Sequence, residues 1–357
     1  MTEQTAEEQE HPQTCTPGEH AFGGQAVIEG VMMRGRHSWG VAVRRPAGDI
    51  ARVAYPLPPA GSRNRFWRFP VVRGVVALYE SLSLGIKALG LAANISLEGL
   101  AEAEAAESAQ GPGVVAVSSA DDGEAVGAAR PSAVVEVTEE PPAFGWKQLA
   151  VTVVVALGMT VALFIVVPLV VAKSLGDALS NPILFNLVEG LIRIAIFILY
   201  LVAISLIPDL RRVFEYHGAE HKLIHAYEAC GRPDAEFARK FSTRHPRCGT
   251  GFLLLVFVLA VFLFALVGRP SVPWLVLSRI VGIPIIVGIG YELGIKWAGR
   301  SNRLWARIIL WPGIQLQRLT TREPSDAQLE VAAAALEDVI AMDQAEVAAQ
   351  KEALAVT

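Results

Sequence analysis

The stretch YHGAEHK (216–222) carries two histidines one helical turn apart, with a glutamate beside the second. The surrounding residues predict a helix over about 209–230, because a glycine at its end is typical of a helix C-terminus. On such a helix His217 and His221 project from one face, at a spacing that lets both imidazoles reach one metal ion. Glu220 shares that face and can orient or deprotonate a bound water. The stretch therefore predicts half of a metal centre.

The other half is predicted in HPRCG (245–249), immediately before an apolar segment. Pro246 disfavours helical geometry at His245, which suits a fixed turn that carries ligands. Cys248 adds a thiolate, a preferred ligand of zinc. We therefore expect a divalent transition metal, zinc in the first instance, and Glu220 as the catalytic residue. The four expected metal ligands are His217, His221, His245 and Cys248.

The role of the histidines, the number of metal ligands and the part played by two weaker candidates stay open at this point. The pattern H-x-x-E-H matches the inverted zinc-peptidase signature, but the histidines can also form a solvated, pH-sensitive face. Four protein ligands would close a zinc site and make it structural, whereas three would leave a position for water. His225 and Glu228 are weaker candidates, because Glu228 lies about 16 Å along the helix axis from His217.

The composition indicates a membrane protein, since 52% of the 357 residues are hydrophobic and only 18% are charged. The formal net charge of −4 hides an uneven distribution, because the acidic residues concentrate in 1–20, 98–142 and 323–357. The rest of the chain is basic. Its charges flank apolar segments, which favours a membrane surface over nucleic acid as the partner.

Four apolar segments are long enough to span a hydrocarbon core of about 30 Å. The intervening loop 208–250 is rich in Lys and Arg, and three arginines follow the last segment. The positive-inside rule then predicts a multi-pass protein of the cytoplasmic membrane with both termini in the cytosol. The predicted spans are about 147–172, 182–207, 251–268 and 273–297.

The remaining segments predict smaller units around this four-helix bundle, so the fold class is mainly α. A β-containing module is expected at 21–70, with a hairpin at 39–55 and with turns or close backbone approach in its glycine-rich start. Residues 71–97 carry a narrow polar stripe and predict an interfacial or re-entrant helix. An acidic tail (1–20) and an acidic linker (98–145) are expected to be disordered. An interfacial segment broken at Pro312 and a C-terminal helix from about 326 complete residues 301–357.

Charged residues inside the spans predict ion pairs. Glu189 and Arg279 lie at matched depth and are expected to pair, with Arg193 joining them. Glu292 lies near the cytosolic end of the last span and is a further candidate ligand. In the β-containing module, Glu29 and Arg34 can close over the metal centre or remain solvated.

Several long motifs resemble a bacterial membrane family, the YqhQ-like family of unknown function, described as predicted metal-dependent enzymes. The resemblance covers about 21–340 apart from the linker, and it places the five candidate residues in family motifs without implying a substrate. The motifs are GGQAVIEGVMMRG (23–35), VVRGVVALYESLSLG (71–85), YHGAEHK (216–222), HPRCGTGFLL (245–254) and LQRLTTREP (316–324).

Two functions are therefore expected to compete. The first is a metal-dependent membrane hydrolase, and the second is a non-enzymatic scaffold or biogenesis factor with a structural metal site. A transporter ranks third, because no inverted repeat is visible. The expected partners are the lipid bilayer and an unknown substrate or membrane protein.

Overall fold

The computed structural model describes residues 18, 22–57, 67, 69–109, 146–175, 180–268, 272–301 and 303–355. Within these ranges the chain is mainly helical, with one small antiparallel sheet. The predicted acidic tail, apart from Gly18, and the predicted linker from residue 110 lie outside the described residues. The strands are β1 (Gly23–Val27), β2 (Gly30–Arg34), β3 (Ser38–Arg44) and β4 (Ile50–Pro56). The helices are α1 (Val72–Ala109), α2 (Trp146–Val161), α3 (Val167–Ser174), α4 (Pro182–Ser205), α5 (Pro208–Cys230), α6 (Ala235–Ala238), α7 (Gly249–Val267), α8 (Val272–Gly290), α9 (Leu304–Thr320) and α10 (Asp326–Ala355).

The four strands pair in the order β1-β2-β3-β4, each antiparallel to the next. The predicted hairpin is confirmed as β3 and β4, joined by a turn that contains Gly48 with φ 91°. The glycine-rich start of the module was expected to permit turns or close backbone approach. It forms a second hairpin, β1 and β2, whose turn places Glu29 at φ 52°. A Cβ atom on Gly30 would lie 2.2 Å from the carbonyl oxygen of Ala42, so close approach is confirmed there.

Alternation along the strands gives the sheet two buried faces. Val31, Met33 and Ala42 pack against α5 and α10, in a core that also contains Tyr216 and Leu336. The opposite face packs against α1. The sheet is therefore held between α1 on one side and the pair α5 and α10 on the other.

Helix α1 buries a stripe from Leu84 to Ile95 on the sheet, while Tyr79, Leu82 and Ile86 on its other side are exposed. The helix continues to Ala109, past the start of the predicted linker at residue 98. The extension is rich in Ala and Glu, which are strong helix formers, and this explains why the acidic composition was misread there as disorder.

Five helical segments are long and apolar enough to cross a membrane among the described residues. Four of them agree with the predicted spans within a few residues, and the fifth belongs to α1. π-Helical segments at Ala162–Val166 and Tyr291–Trp297 continue α2 and α8. The five candidate segments are Val72–Glu102, Val151–Ser174, Pro182–Ser205, Gly249–Val267 and Leu277–Arg300.

The predicted pairing of charged residues in these helices is confirmed in part. Glu189 forms a salt bridge with Arg193, one turn along α4, as expected. The Arg279 guanidinium lies 3.6 Å from the centroid of the Phe264 ring, a cation–π contact that was not predicted.

Helix α9 is also more regular than predicted, because it continues through Pro312 and ends at Thr320. It is followed by the predicted cap of α10, in which Ser325 donates its backbone N–H to Gln328 Oε1 at 2.8 Å. The short segment between α9 and α10 passes directly beside α5. It therefore becomes part of the candidate site.

Candidate metal centre

Helix α5 carries the core of the site, and its ends are defined by local sequence. Pro208 occupies the first turn, and Gly231 ends the helix in the left-handed conformation with φ 63°. The prediction of a helix over about 209–230 is confirmed. Within it Glu220 and His221 are buried, with exposed fractions of only 4% and 2%.

Two glycines allow backbone to approach these side chains closely. A Cβ atom on Gly24 of β1 would lie 2.5 Å from Cγ of Glu220. A Cβ atom on Gly218 of α5 would lie 2.0 Å from the carbonyl oxygen of Arg322. The sheet therefore covers Glu220 from one side, and the α9–α10 connection packs against α5 beside His217.

The structure brings together His217, His221 and Cys248, which we call the His–Cys group. One ligand atom from each lies within 4.8 Å of the other two. The Nε2 atom of His217 lies 3.3 Å from Sγ of Cys248, and the two imidazole ring centroids are 4.5 Å apart. Cys248 reaches this position because it is the N-cap of α7.

Backbone carbonyls fix the orientation of both imidazoles in the His–Cys group. His217 Nδ1 donates to the carbonyl of Thr320 at 2.8 Å, and His221 Nδ1 donates to the carbonyl of Thr243 at 2.6 Å. A carbonyl oxygen can only accept, so the proton lies on Nδ1 in each ring. The Nε2 atoms therefore face the cysteine with the geometry that metal-binding histidines usually adopt.

The electrostatics of the His–Cys group favour a thiolate. Burial alone would lower the pKa of His217, but the Cys248 thiolate outweighs burial and raises this pKa to about 9. Burial would raise the pKa of the Cys248 thiol, yet His217 and His221 hold it well below its ordinary value. The thiolate is the form of cysteine that binds metal.

Glu220 lies between the two imidazoles of the His–Cys group. Its Oε2 atom is 3.9 Å from Nε2 of His217 and 3.9 Å from Nε2 of His221. This distance is longer than a hydrogen bond but short enough for a water molecule or an ion to contact all three groups. The carboxylate is therefore placed beside the ligand atoms.

His245, the fourth predicted ligand, lies beside His221, with ring centroids 5.7 Å apart, but outside the His–Cys group. It joins His225 and Glu228 in a second cluster, which we call the His–Glu group. Nδ1 of His245 accepts from the backbone N–H of Arg247 at 3.3 Å, and Nε2 lies 3.4 Å from a carboxylate oxygen of Glu228. Both ring nitrogens of His245 are thus engaged by protein atoms.

The His–Glu group differs from the first group in charge as well. Burial, followed by the neighbouring His221, lowers the pKa of His245 to about 4. Burial, followed by His245, lowers the pKa of His225 to about 4. Glu228 forms a salt bridge with Arg247, so its charge is already paired.

Residues 69–342 match the family described as "Protein of unknown function (DUF1385)". The chain belongs to this family. It is also 31% identical over 337 residues to the "Uncharacterized protein YqhQ" of Bacillus subtilis (strain 168), a match that covers 90% of this chain and 93% of that protein. No solved structure matches the chain. The resemblance noted from the motifs is confirmed, and these descriptions name no activity.

Three other candidate residues from the sequence form ion pairs outside the His–Cys group. Glu292 forms an ion pair with Arg73 of α1. Glu29 pairs with Arg212 at 2.6 Å, and Arg34 pairs with Glu80 of α1 at 2.8 Å. These pairs attach α1 and the sheet of this DUF1385 chain to α5 and to the end of the last candidate span.

Gln317 is a site residue that the sequence did not reveal. Its side chain accepts from the backbone N–H of His245 at 2.7 Å and donates to the carbonyl of His245 at 2.8 Å. This reciprocal pair holds the HPRC turn on α9. The available signal was the family motif LQRLTT, which contains both Gln317 and Thr320.

Proposed function

We propose that this protein is a metal-dependent hydrolase of the cytoplasmic membrane, with a zinc-like ion at the His–Cys group and Glu220 as general base. The observation that carries the proposal is the orientation of the two imidazoles. Each gives its Nδ1 proton to a backbone carbonyl, which leaves Nε2 as the ligand atom, and the ligand atoms of both rings lie within 4.8 Å of the one on Cys248. A core histidine needs only one such bond, whereas two converging on a thiolate are typical of a metal site. The proposed metal ligands are therefore His217, His221 and Cys248. His245 is not among them, because its backbone is bound by Gln317 and its ring contacts Glu228.

The chemistry follows from the number of ligands. Three protein ligands would leave room for water, and a zinc ion held by them would supply a Lewis acid. Glu220, with Oε2 3.9 Å from Nε2 of both histidines, is placed to accept a proton from a water beside these ligand atoms. General bases of this kind contribute about 10²–10⁴-fold to rate.

We place the His–Cys group at the cytosolic face. The basic loop 208–250 and the arginines after the last candidate span support this orientation through the positive-inside rule. We treat α1 as an interfacial helix, because Leu84, Ala88, Ala92 and Ile95 are buried on the sheet. The protein then has four spans, and both termini are cytosolic.

The second candidate function is a non-enzymatic scaffold or biogenesis factor with a structural ion. The observation in its favour is burial, since His221 and Glu220 are almost inaccessible and the group joins α5 to α7 and, through Thr320, to α9. In this case the ion would fix the cytosolic loop to the bundle.

Glu220→Gln separates the two functions. We expect the purified variant to keep the metal content and melting temperature of the wild type, while membranes of cells that carry it accumulate an uncleaved substrate detectable by mass spectrometry. Glu228→Gln, on the same helix but in the His–Glu group, is the matched control and should accumulate nothing. If Glu220→Gln leaves the membrane extract unchanged while His217→Ala unfolds the loop, the scaffold function is correct. Wild-type protein without stoichiometric metal would contradict both.

A further inference from the structure

A cavity of about 300 Å³ lies between α7, α9 and the π-helical segment that follows α8. It begins beside the site, where Cys248 and Gln317 form part of its lining. It continues along α7 past Leu255 and Leu259 to Phe262. At a rise of about 1.5 Å per residue, Cys248 and Phe262 are about 20 Å apart along the helix. The cavity is therefore elongated and has Cys248 of the His–Cys group at one end.

Two glycines define the end near Cys248. A Cβ atom on Gly313 of α9 would lie 2.8 Å from the Cα atom of Gly251 on α7, so the two helices cross in backbone contact. Both glycines line the cavity. The close contact of the two helices limits the width of the cavity beside Cys248. Larger apolar side chains line the rest of the cavity.

The interior of the cavity offers little to a polar ligand. Its side chains are almost all aliphatic or aromatic, and the amide of Gln317 is already used in its two bonds with His245. A ligand segment that enters past Cys248 finds apolar contact and no side-chain hydrogen bond among the described lining residues. Hydrocarbon satisfies this environment, because a buried polar group without a partner is costly.

The far end of the cavity reaches the apolar surface of the helices. Phe262 of α7 and Ile308 of α9 both line it, and each is 64% exposed. Helix α7 is a candidate membrane span. A chain can therefore enter from the bilayer without crossing water.

We propose that this cavity holds the hydrocarbon chain of a membrane lipid, so that the substrate of the His–Cys group is a membrane amphiphile whose scissile bond lies next to the chain. This inference rests on the proposed function and names its substrate class. The chain lies between α7 and α9, and the polar end of the lipid meets Cys248, His217 and Glu220. The volume is within the range of small-molecule sites.

The test uses the full-length protein in nanodiscs that contain a phosphatidylglycerol with a photoreactive diazirine in its acyl chain. We expect crosslinks at Leu255, Leu259 and Leu310 in addition to labels on the outer surface. Leu259→Trp should lower the cavity labels by about tenfold or more, as expected for an overfilled site. Leu266→Trp is the matched control, because Leu266 is on the same helix, outside the cavity and 84% exposed, and it should change nothing.

Metal content is measured on the same samples, so the two proposals fail separately. Leu259→Ala should keep the cavity labels, which shows that Leu259→Trp acts by filling space. Labels restricted to outward residues such as Leu199, or equal cavity labelling in Leu259→Trp and wild type, would overturn the inference even if metal is bound. Cavity labelling in a protein without metal would retain the lipid site and contradict the hydrolase.

Discussion

The His–Cys group and the His–Glu group use similar residues on the same helix, yet they are chemically different. In the His–Cys group, the Nε2 atoms of His217 and His221 face a thiolate, and the pKa of His217 is raised. In the His–Glu group, His245 has both nitrogens engaged, and the pKa values of its two histidines are lowered. Residue type alone therefore does not distinguish the two groups, whereas the direction of the Nε2 atoms does.

Loss of a ligand gives the largest expected difference between the two groups. His217→Ala or Cys248→Ala should lower zinc affinity by more than the roughly 10–100-fold that follows loss of an outer-shell partner. His225→Ala, the matched change in the His–Glu group, should lower it by less than that range. Equilibrium dialysis with metal analysis measures both affinities. Equal losses in the two groups would remove the distinction between them.

A glycine pair tests the packing that orients the His–Cys group. Gly218→Ala should destabilise the protein by about 1–3 kcal/mol, because the new Cβ meets the backbone carbonyl of Arg322. It should also weaken zinc binding, because it moves His217 away from Thr320. Gly249→Ala is the control, since no atom lies within 4 Å of its Cβ and its φ is not positive. Thermal unfolding in detergent reports the difference. A Gly218→Ala protein as stable as Gly249→Ala would refute the tight contact.

A further expected effect is the acid sensitivity of the His–Glu group. The pKa values of His225 and His245 fall from 6.5 to about 4 in the folded protein. Between these pH values the unfolded chain takes up protons that the folded protein does not, so stability falls as the pH is lowered from 6.5 to 4.

Hydrogen exchange at the end of α5 measures this loss of stability. It should be done in metal-free Cys248→Ala protein, so that metal release does not contribute. His225→Phe should reduce the slope, because Phe does not titrate. An unchanged slope would show that His225 is not responsible.

Local patterns predicted much of this architecture. The glycine after Cys230 predicted the end of α5, the alternation in 39–55 predicted β3 and β4, and the apolar runs predicted the four segments besides α1 that can span a membrane. Each of these signals lies within one element, where periodicity and capping determine the structure.

The rest depends on contacts between distant parts of the chain. His245 turns to the His–Glu group because its backbone is bound by Gln317, 72 residues later. Glu292 pairs with Arg73, 219 residues earlier. No local pattern specifies such partners, so the sequence could not predict how the candidate ligands divide into two groups.

X-ray absorption at the edge of the bound metal tests the central claim most directly. The His–Cys group predicts one sulfur at about 2.3 Å and two imidazole nitrogens at about 2.0–2.1 Å, with a further light atom in the open position. The sulfur should disappear in Cys248→Ala and remain in His225→Ala. A spectrum with nitrogen and oxygen neighbours but no sulfur would place the metal in the His–Glu group and contradict the account.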